Sequence, residues 1–382
     1  MRPVPTAKKG APQIRALTGA RAIPVLLIVV FHYHEWFGHA GRPWYDAVVS
    51  KGYIWVEFFF ALSGFLLVYV YGTRFGERLS APAIGAFLAA RVSRLYPLQL
   101  VTLLAATVAE GDRRISQSHL TGVSFWTVPA FEGKTWETFV SNLLMIQAWN
   151  IHDVMSWNPV AWFLSVEFFL YLVCPALMLL AGARFGWRTL VIGAAGSVLL
   201  VALAATSGAG IGLTAHNGLW RGLADFGIGV SLGALFIACR EREWTLPTSV
   251  HTLAQIGVLA AVVAAFCLSG PPRTARDLMV AGPMFALTFV LASDRGLIAR
   301  ALHARWLLKL GEWAFAIYMV QYVVMVALPV RGPAAAPWIQ GMLAIAGSIA
   351  AGGLAWRFIE RPLAEVMRRR LLTAFGLLGG DR

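Results

Sequence analysis

Three side chains could do acid–base chemistry inside long apolar runs: His32, Glu57 and Glu167. A charge within a lipid-spanning segment is expensive, so each marks a candidate site. An imidazole beside a carboxylate, away from bulk water, is the arrangement a general base needs. His32 stands eleven residues after Arg21. On a helix that separation is about 16 Å. Glu57 falls near the start of the second apolar segment and Glu167 seven residues into the fourth. If those segments alternate in direction, all three side chains share one half of the bilayer. The bland alternatives are an interfacial histidine and a headgroup-level Glu57; Glu167 is deeper. His34 and Glu35 read as interfacial. Asp225 is a secondary candidate without an evident partner.

A second pattern is Arg91-Val-Ser-Arg94-Leu-Tyr-Pro97. On a helix, residues three apart share a face. Two guanidiniums there suit a phosphorylated ligand through bidentate contacts, or serve as topological anchors. Ala61-Leu62-Ser63-Gly64 puts small residues in an apolar run, which permits close helix packing. Phe358-Ile-Glu360-Arg361-Pro362 ends the last apolar run, with Pro362 expected to stop the helix.

The elements that must position these groups are set by composition. The chain has 382 residues, 58% hydrophobic and 13% charged, against about 25% charged in soluble domains. Its mean hydropathy is +0.66. This excludes a disordered chain, a small disulfide scaffold and an ordinary soluble enzyme. Ten segments are apolar enough to cross a bilayer: 22–37, 54–71, 95–109, 160–182, 189–206, 222–239, 252–268, 278–292, 313–328 and 338–358. Residues 139–149 are apolar but too short to span. The expected class is therefore all-α and polytopic, with a terminal segment 1–21, a membrane domain 22–362 and a basic tail 363–382. The first segment reads as an uncleaved anchor.

The net charge of +13 is spread over short loops rather than gathered in a patch. That pattern sets topology and contacts anionic lipid, and no nucleic-acid partner is expected. With alternating crossings, 23 Lys/Arg fall on the side of the termini and 9 on the other. Both termini are thus expected in the cytoplasm. Fifteen tryptophans, among them Trp36, Trp55, Trp149 and Trp187, suit an interfacial belt. Cys174, Cys239 and Cys267 lack paired spacing, so neither a disulfide framework nor a metal site is expected.

In order and spacing these residues resemble the acyltransferase-3 family of bacterial integral membrane O-acyltransferases, from about Arg15 to Pro362. The matching features are RAIPVLLIVVFH from Arg21 to His32, Val56-Glu57-Phe58-Phe59 running into Leu62-Ser63-Gly64-Phe65, and Arg91-x-x-Arg94-x-x-Pro97. Trp162-Phe-Leu-Ser-Val-Glu167 with Tyr171 and Pro175, and the terminal FIERP, complete the set. The family often has Asp where Glu57 stands. Many members place a histidine after Tyr-Leu-Trp; here Tyr318-Met319-Val320-Gln321 puts Gln321 at that position. A proton-transfer role for that helix is therefore not expected. Longer members carry an extracytoplasmic esterase-like domain, so the likeness is to the transmembrane part.

The resemblance implies transfer of an acyl group, most often acetyl, from cytoplasmic acyl-CoA to a hydroxyl of an extracytoplasmic glycan. His32 would be the base, Glu57 or Glu167 would hold the imidazole, and Arg91, Arg94 and Arg21 would bind the CoA phosphates. No metal is required. The favoured acceptor is an extracellular polysaccharide such as a cellulose-like glucan, with a polysaccharide synthase complex as a partner. A transporter or flippase, and a non-catalytic subunit of a synthase complex, are the rival classes.

Overall fold

In a computed structural model the chain is helical, with no strand among the described residues. The described residues are 12–37, 48–122, 124, 133–242, 246–327 and 337–377. Lys8, Lys9 and His39 lie outside them. The helices are α1 (Arg15–Ala20), α2 (Ala22–Phe37), α3 (Trp55–Glu77), α4 (Ala81–Thr121), α5 (Trp136–Leu143), α6 (Trp162–Ala181) and α7 (Trp187–Thr206). They continue as α8 (Gly218–Glu241), α9 (Thr248–Leu268), α10 (Leu278–Ala292), α11 (Leu297–Leu302), α12 (Arg305–Ala327), α13 (Pro337–Ala355) and α14 (Arg361–Ala374). Among the described residues ten helical runs are long and apolar enough to cross a membrane, and each overlaps one of the ten expected segments.

The helix α3 lies at the centre, packed on α8, α6 and α10. The α3–α8 contact is made by glycines. A Cβ on Gly64 would strike the backbone of Phe226, and one on Gly229 the backbone of Ala61. The small-residue run beginning at Ala61 thus allows the two backbones to meet, as its composition predicts. By contrast α7 and α9 are peripheral. They expose Leu190, Val198, Leu253 and Val263, the surface that lipid tails cover. Gly257 on α9 has open space around its Cβ position.

Gly229→Ala is therefore expected to lower the melting temperature in detergent, because overpacking a tight contact costs about 1–3 kcal/mol. Gly257→Ala should leave it unchanged or raise it slightly, since Ala is the better helix former. Equal melting temperatures for the two variants would contradict the assigned contact.

Two elements differ from expectation, the third segment and the end of the last. The third segment is one helix of 41 residues, about 62 Å long and twice the ~30 Å hydrocarbon core. It runs through Pro97 and past residue 110, where a loop was expected, and carries Glu110 paired with Arg113 and Arg114. Residues 139–149 do not span, as expected, and fold back on α6. There Ser165 accepts a bond from the Ala148 N–H, and the Trp149 indole donates to the Ser165 carbonyl. Pro362 does not stop the last helix. A π-helical turn, Trp356–Glu360, opens the ladder, and Pro362 sits in the first turn of α14, where its missing N–H leaves no bond unmade.

Candidate active site

A cavity of about 130 Å³ lies between α3, α4, α6 and α12. Arg21 reaches it from the junction of α1 and α2, and Arg91 and Arg94 reach it from one face of α4. The expected shared face of the two motif arginines is thus present, because the segment is helical. The placement of α1 depends on Gly311 of α12, whose missing Cβ admits the Thr18 carbonyl. Arg91 is caged by aromatic rings. Its guanidinium lies 5.4 Å from the Tyr71 ring centre and 5.9 Å from that of Tyr171, and it donates to the Tyr71 hydroxyl at 3.0 Å. Arg94 is the more open of the pair, and it also lines a second, wider cleft of about 1070 Å³.

Glu167 projects into the arginine-lined cavity. Ser63 Oγ donates to its Oε1 at 2.6 Å, and Arg91, Arg94 and Tyr171 are its neighbours. Ser63 is thereby engaged with a carboxylate. The far wall is aromatic: Phe59, Phe163 and Tyr318. Tyr318 is fixed by its hydroxyl, which donates to the Val160 carbonyl at 2.8 Å, and Asn158 donates to the Met319 carbonyl. These two bonds lock α12 to the start of α6.

One turn further along α12 is Gln321, fully buried. Its Nε2 donates to the Tyr318 carbonyl at 2.9 Å, which turns its Oε1 toward His32. His32 Nδ1 lies 3.1 Å from that oxygen. An amide oxygen only accepts, so Nδ1 carries the proton and Nε2 keeps a free lone pair. Trp36 stacks on the imidazole, 4.9 Å between ring centres. His32 does not line the arginine cavity; it connects to it through Gln321 and Tyr318.

The carboxylates expected to hold the imidazole are therefore engaged elsewhere, and Gln321 holds it instead. Glu57 is completely buried and bonded to Arg221 of α8, with Arg221 Nε 3.0 Å from both carboxylate oxygens. Arg221 also donates to the Leu213 and Tyr53 carbonyls and lies over the Trp162 ring. Asp225, one turn along α8, is Glu57's other neighbour. The structure thus gathers Arg21, Arg91, Arg94 and Glu167 at one cavity, places His32 with Gln321 beyond its aromatic wall, and sets Glu57 apart with Arg221. Neither Arg221 nor Gln321 was singled out as functional from sequence. The signal that could have pointed to Gln321 is a polar residue in the apolar run from Ala314 to Ala327. His34, expected at an interface, is buried, and Glu35 pairs with Arg273. Among the described residues no three His, Cys, Asp or Glu side chains converge as metal ligands.

The profile of the acyltransferase-3 family, described as an acyltransferase domain, matches residues 14–375. The chain belongs to the acyltransferase-3 family. Acyltransferase MdmB of Streptomyces mycarofaciens is 25% identical over 94% of this chain and 93% of its own length. Protein 2 in the picA locus of Rhizobium radiobacter is 40% identical over 87 residues, 23% of this chain and 40% of that protein. No solved structure matches. With ten helices able to span a bilayer among the described residues, this acyltransferase is a multi-pass membrane enzyme.

Proposed function

We propose that the enzyme moves an acyl group, foremost acetyl, from acyl-CoA in the cytoplasm to a hydroxyl of a glycan on the other side of the bacterial inner membrane. The observation that carries this reading is the line from the arginine cavity through Tyr318 and Gln321 to His32. A cationic mouth suits a phosphorylated donor, and the bias of 23 basic residues to 9 supports a cytoplasmic position for the arginine end. The pantetheine arm then enters the narrow cavity toward Tyr318, and the thioester must pass that aromatic wall to reach the imidazole.

There the acceptor hydroxyl attacks the thioester carbonyl as His32 Nε2 takes its proton. The tetrahedral intermediate collapses, the C–S bond breaks, and the imidazolium returns the proton to the departing thiolate. Gln321 keeps the imidazole in the tautomer with Nε2 free. It is a positioning residue, and a roughly 1 Å misplacement of a base costs on the order of a hundred-fold. Gln321→Ala should thus lower kcat by about that factor with little change in KM for the donor. An unchanged kcat would remove Gln321 from the account.

The acceptor side is lined by rings. Trp36 meets Tyr322 edge-on at 5.4 Å, Tyr322 packs on the Trp157–Phe139 cluster, and Trp136 stacks on Phe139 at the exposed end. Apolar ring faces with polar edges suit the C–H faces of sugars. We favour an extracellular polysaccharide, such as a cellulose-like glucan, as acceptor.

Purified protein with labelled acetyl-CoA tests the reaction. Label should pass to glycan, and Arg94→Ala should raise KM for the donor about ten-fold, the effect of one charge-assisted contact. Mass spectrometry of surface glycans, with and without the protein, identifies the acceptor. Glycan without any difference in acylation would refute the glycan reading.

A further inference from the structure

The arginine cavity is too small for a nucleotide. At about 130 Å³ it falls below the ~300–1,000 Å³ of pockets that enclose drug-sized ligands. The wider cleft, about 1070 Å³, shares Arg94 with it as a lining residue. Its walls are α4, the start of α12, the π-helical turn and α14. Arg94, Lys309, Arg357, Arg361, Arg368 and Arg369 line it against two acidic residues, Glu360 and Glu365.

We propose that this cleft binds the phosphates at the nucleotide end of acyl-CoA, with α14 as its cationic wall. The inference rests on acyl-CoA being the donor, and it moves the phosphate contacts away from Arg21 and Arg91. Several cations are held in place beforehand. Trp356 takes Lys309 on its ring at 4.6 Å and Arg361 at 5.6 Å, each a cation–π contact. Glu365 pairs with Arg369 at 2.8 Å, whereas Arg368 has no ion pair among the described residues. The ladder break at Trp356–Glu360 sets the start of α14, which packs against α4 beside Arg94. No residue of α14 is buried, so its arginines are open to a ligand rather than spent on the fold. Leu363 and Val366 are exposed as well; the helix is amphipathic and suits the lipid interface. Lipid headgroups carry the same phosphate chemistry, but a headgroup needs only the outer rim. A nucleotide fills a concave site that reaches Arg94.

The test uses full-length protein in nanodiscs of neutral lipid, with acetyl-CoA and acetyl-3′-dephospho-CoA as donors. The variant is the double substitution Arg361→Gln/Arg368→Gln. Its KM for acetyl-CoA should rise about ten-fold or more, with kcat little changed. The dephospho donor should lose much less, so the wild-type preference for the 3′-phosphate shrinks. Matching melting temperatures and size-exclusion profiles establish that the variant is folded. An unchanged KM overturns the proposal. So does an effect present only in nanodiscs of anionic lipid, which would give the arginines to headgroups, or an equal loss with both donors through kcat. If the wild type neither binds nor uses acetyl-CoA, the donor reading itself fails, a result distinct from active wild type with an indifferent variant.

Discussion

His32→Ala is expected to lower acyl transfer by about 10²–10⁴-fold, the usual contribution of a positioned general base, while KM for the donor stays near wild type. The ring has two nitrogens with separate tasks. Nδ1 is committed to Gln321 at 3.1 Å, which leaves Nε2 to accept the acceptor's proton. His32→Gln should fail as fully as Ala, because an amide takes the place of the ring without offering a basic nitrogen. His119→Ala, at the exposed end of α4, should retain activity. Turnover of labelled acetyl-CoA, with melting temperature as the check on folding, measures all three. Wild-type turnover in His32→Ala would remove the base.

Arg221→Ala is expected to be the most destabilising single change, by about 3–5 kcal/mol, the cost of leaving a buried charge unpaired. Arg221 is fully buried and supports Glu57 and two backbone carbonyls. Its loss strands Glu57 beside Asp225 in the packed α3–α8 contact. Adding Glu57→Gln to Arg221→Ala should recover part of the loss, since the orphaned charge is then gone. Thermal unfolding in detergent follows both. If Arg221→Ala melts with wild type, the pair contributes little to the fold. If the double variant melts lower than the single, the penalty is not the stranded carboxylate.

The ten spans were legible because length and apolarity are what a bilayer demands of a helix. Hydropathy, though, reads the slab and not the helix. It ended the third span at 109, before the charged run from Glu110 to Arg114, yet a helix that leaves the membrane carries charges without penalty and α4 runs on to Thr121. The same blindness hid Arg221. Counted by position, it is one of the nine basic residues on the outer side, but its partner Glu57 is 164 residues away in sequence and the pair is sealed inside. Arg21, Arg91 and Arg94 were readable as a group because helix spacing and chain direction place them at one end; Glu167 was grouped with His32 and Glu57 instead, and it lies in the arginine cavity. Gln321 was noticed only as a departure from the family's histidine. An amide in that place still reaches His32, and no spacing rule predicts contacts between α2 and α12.

The central claim is that one imidazole joins a donor entering at one face to an acceptor entering at the other. Vectorial transfer in proteoliposomes tests it most directly. Protein is inserted with its arginine end outward, labelled acetyl-CoA is added outside, and a polysaccharide acceptor is sealed inside. Label should accumulate on the enclosed glycan while CoA remains outside, and His32→Ala vesicles should stay unlabelled. Labelling that requires donor and acceptor in the same compartment, or that persists in His32→Ala, would contradict the account.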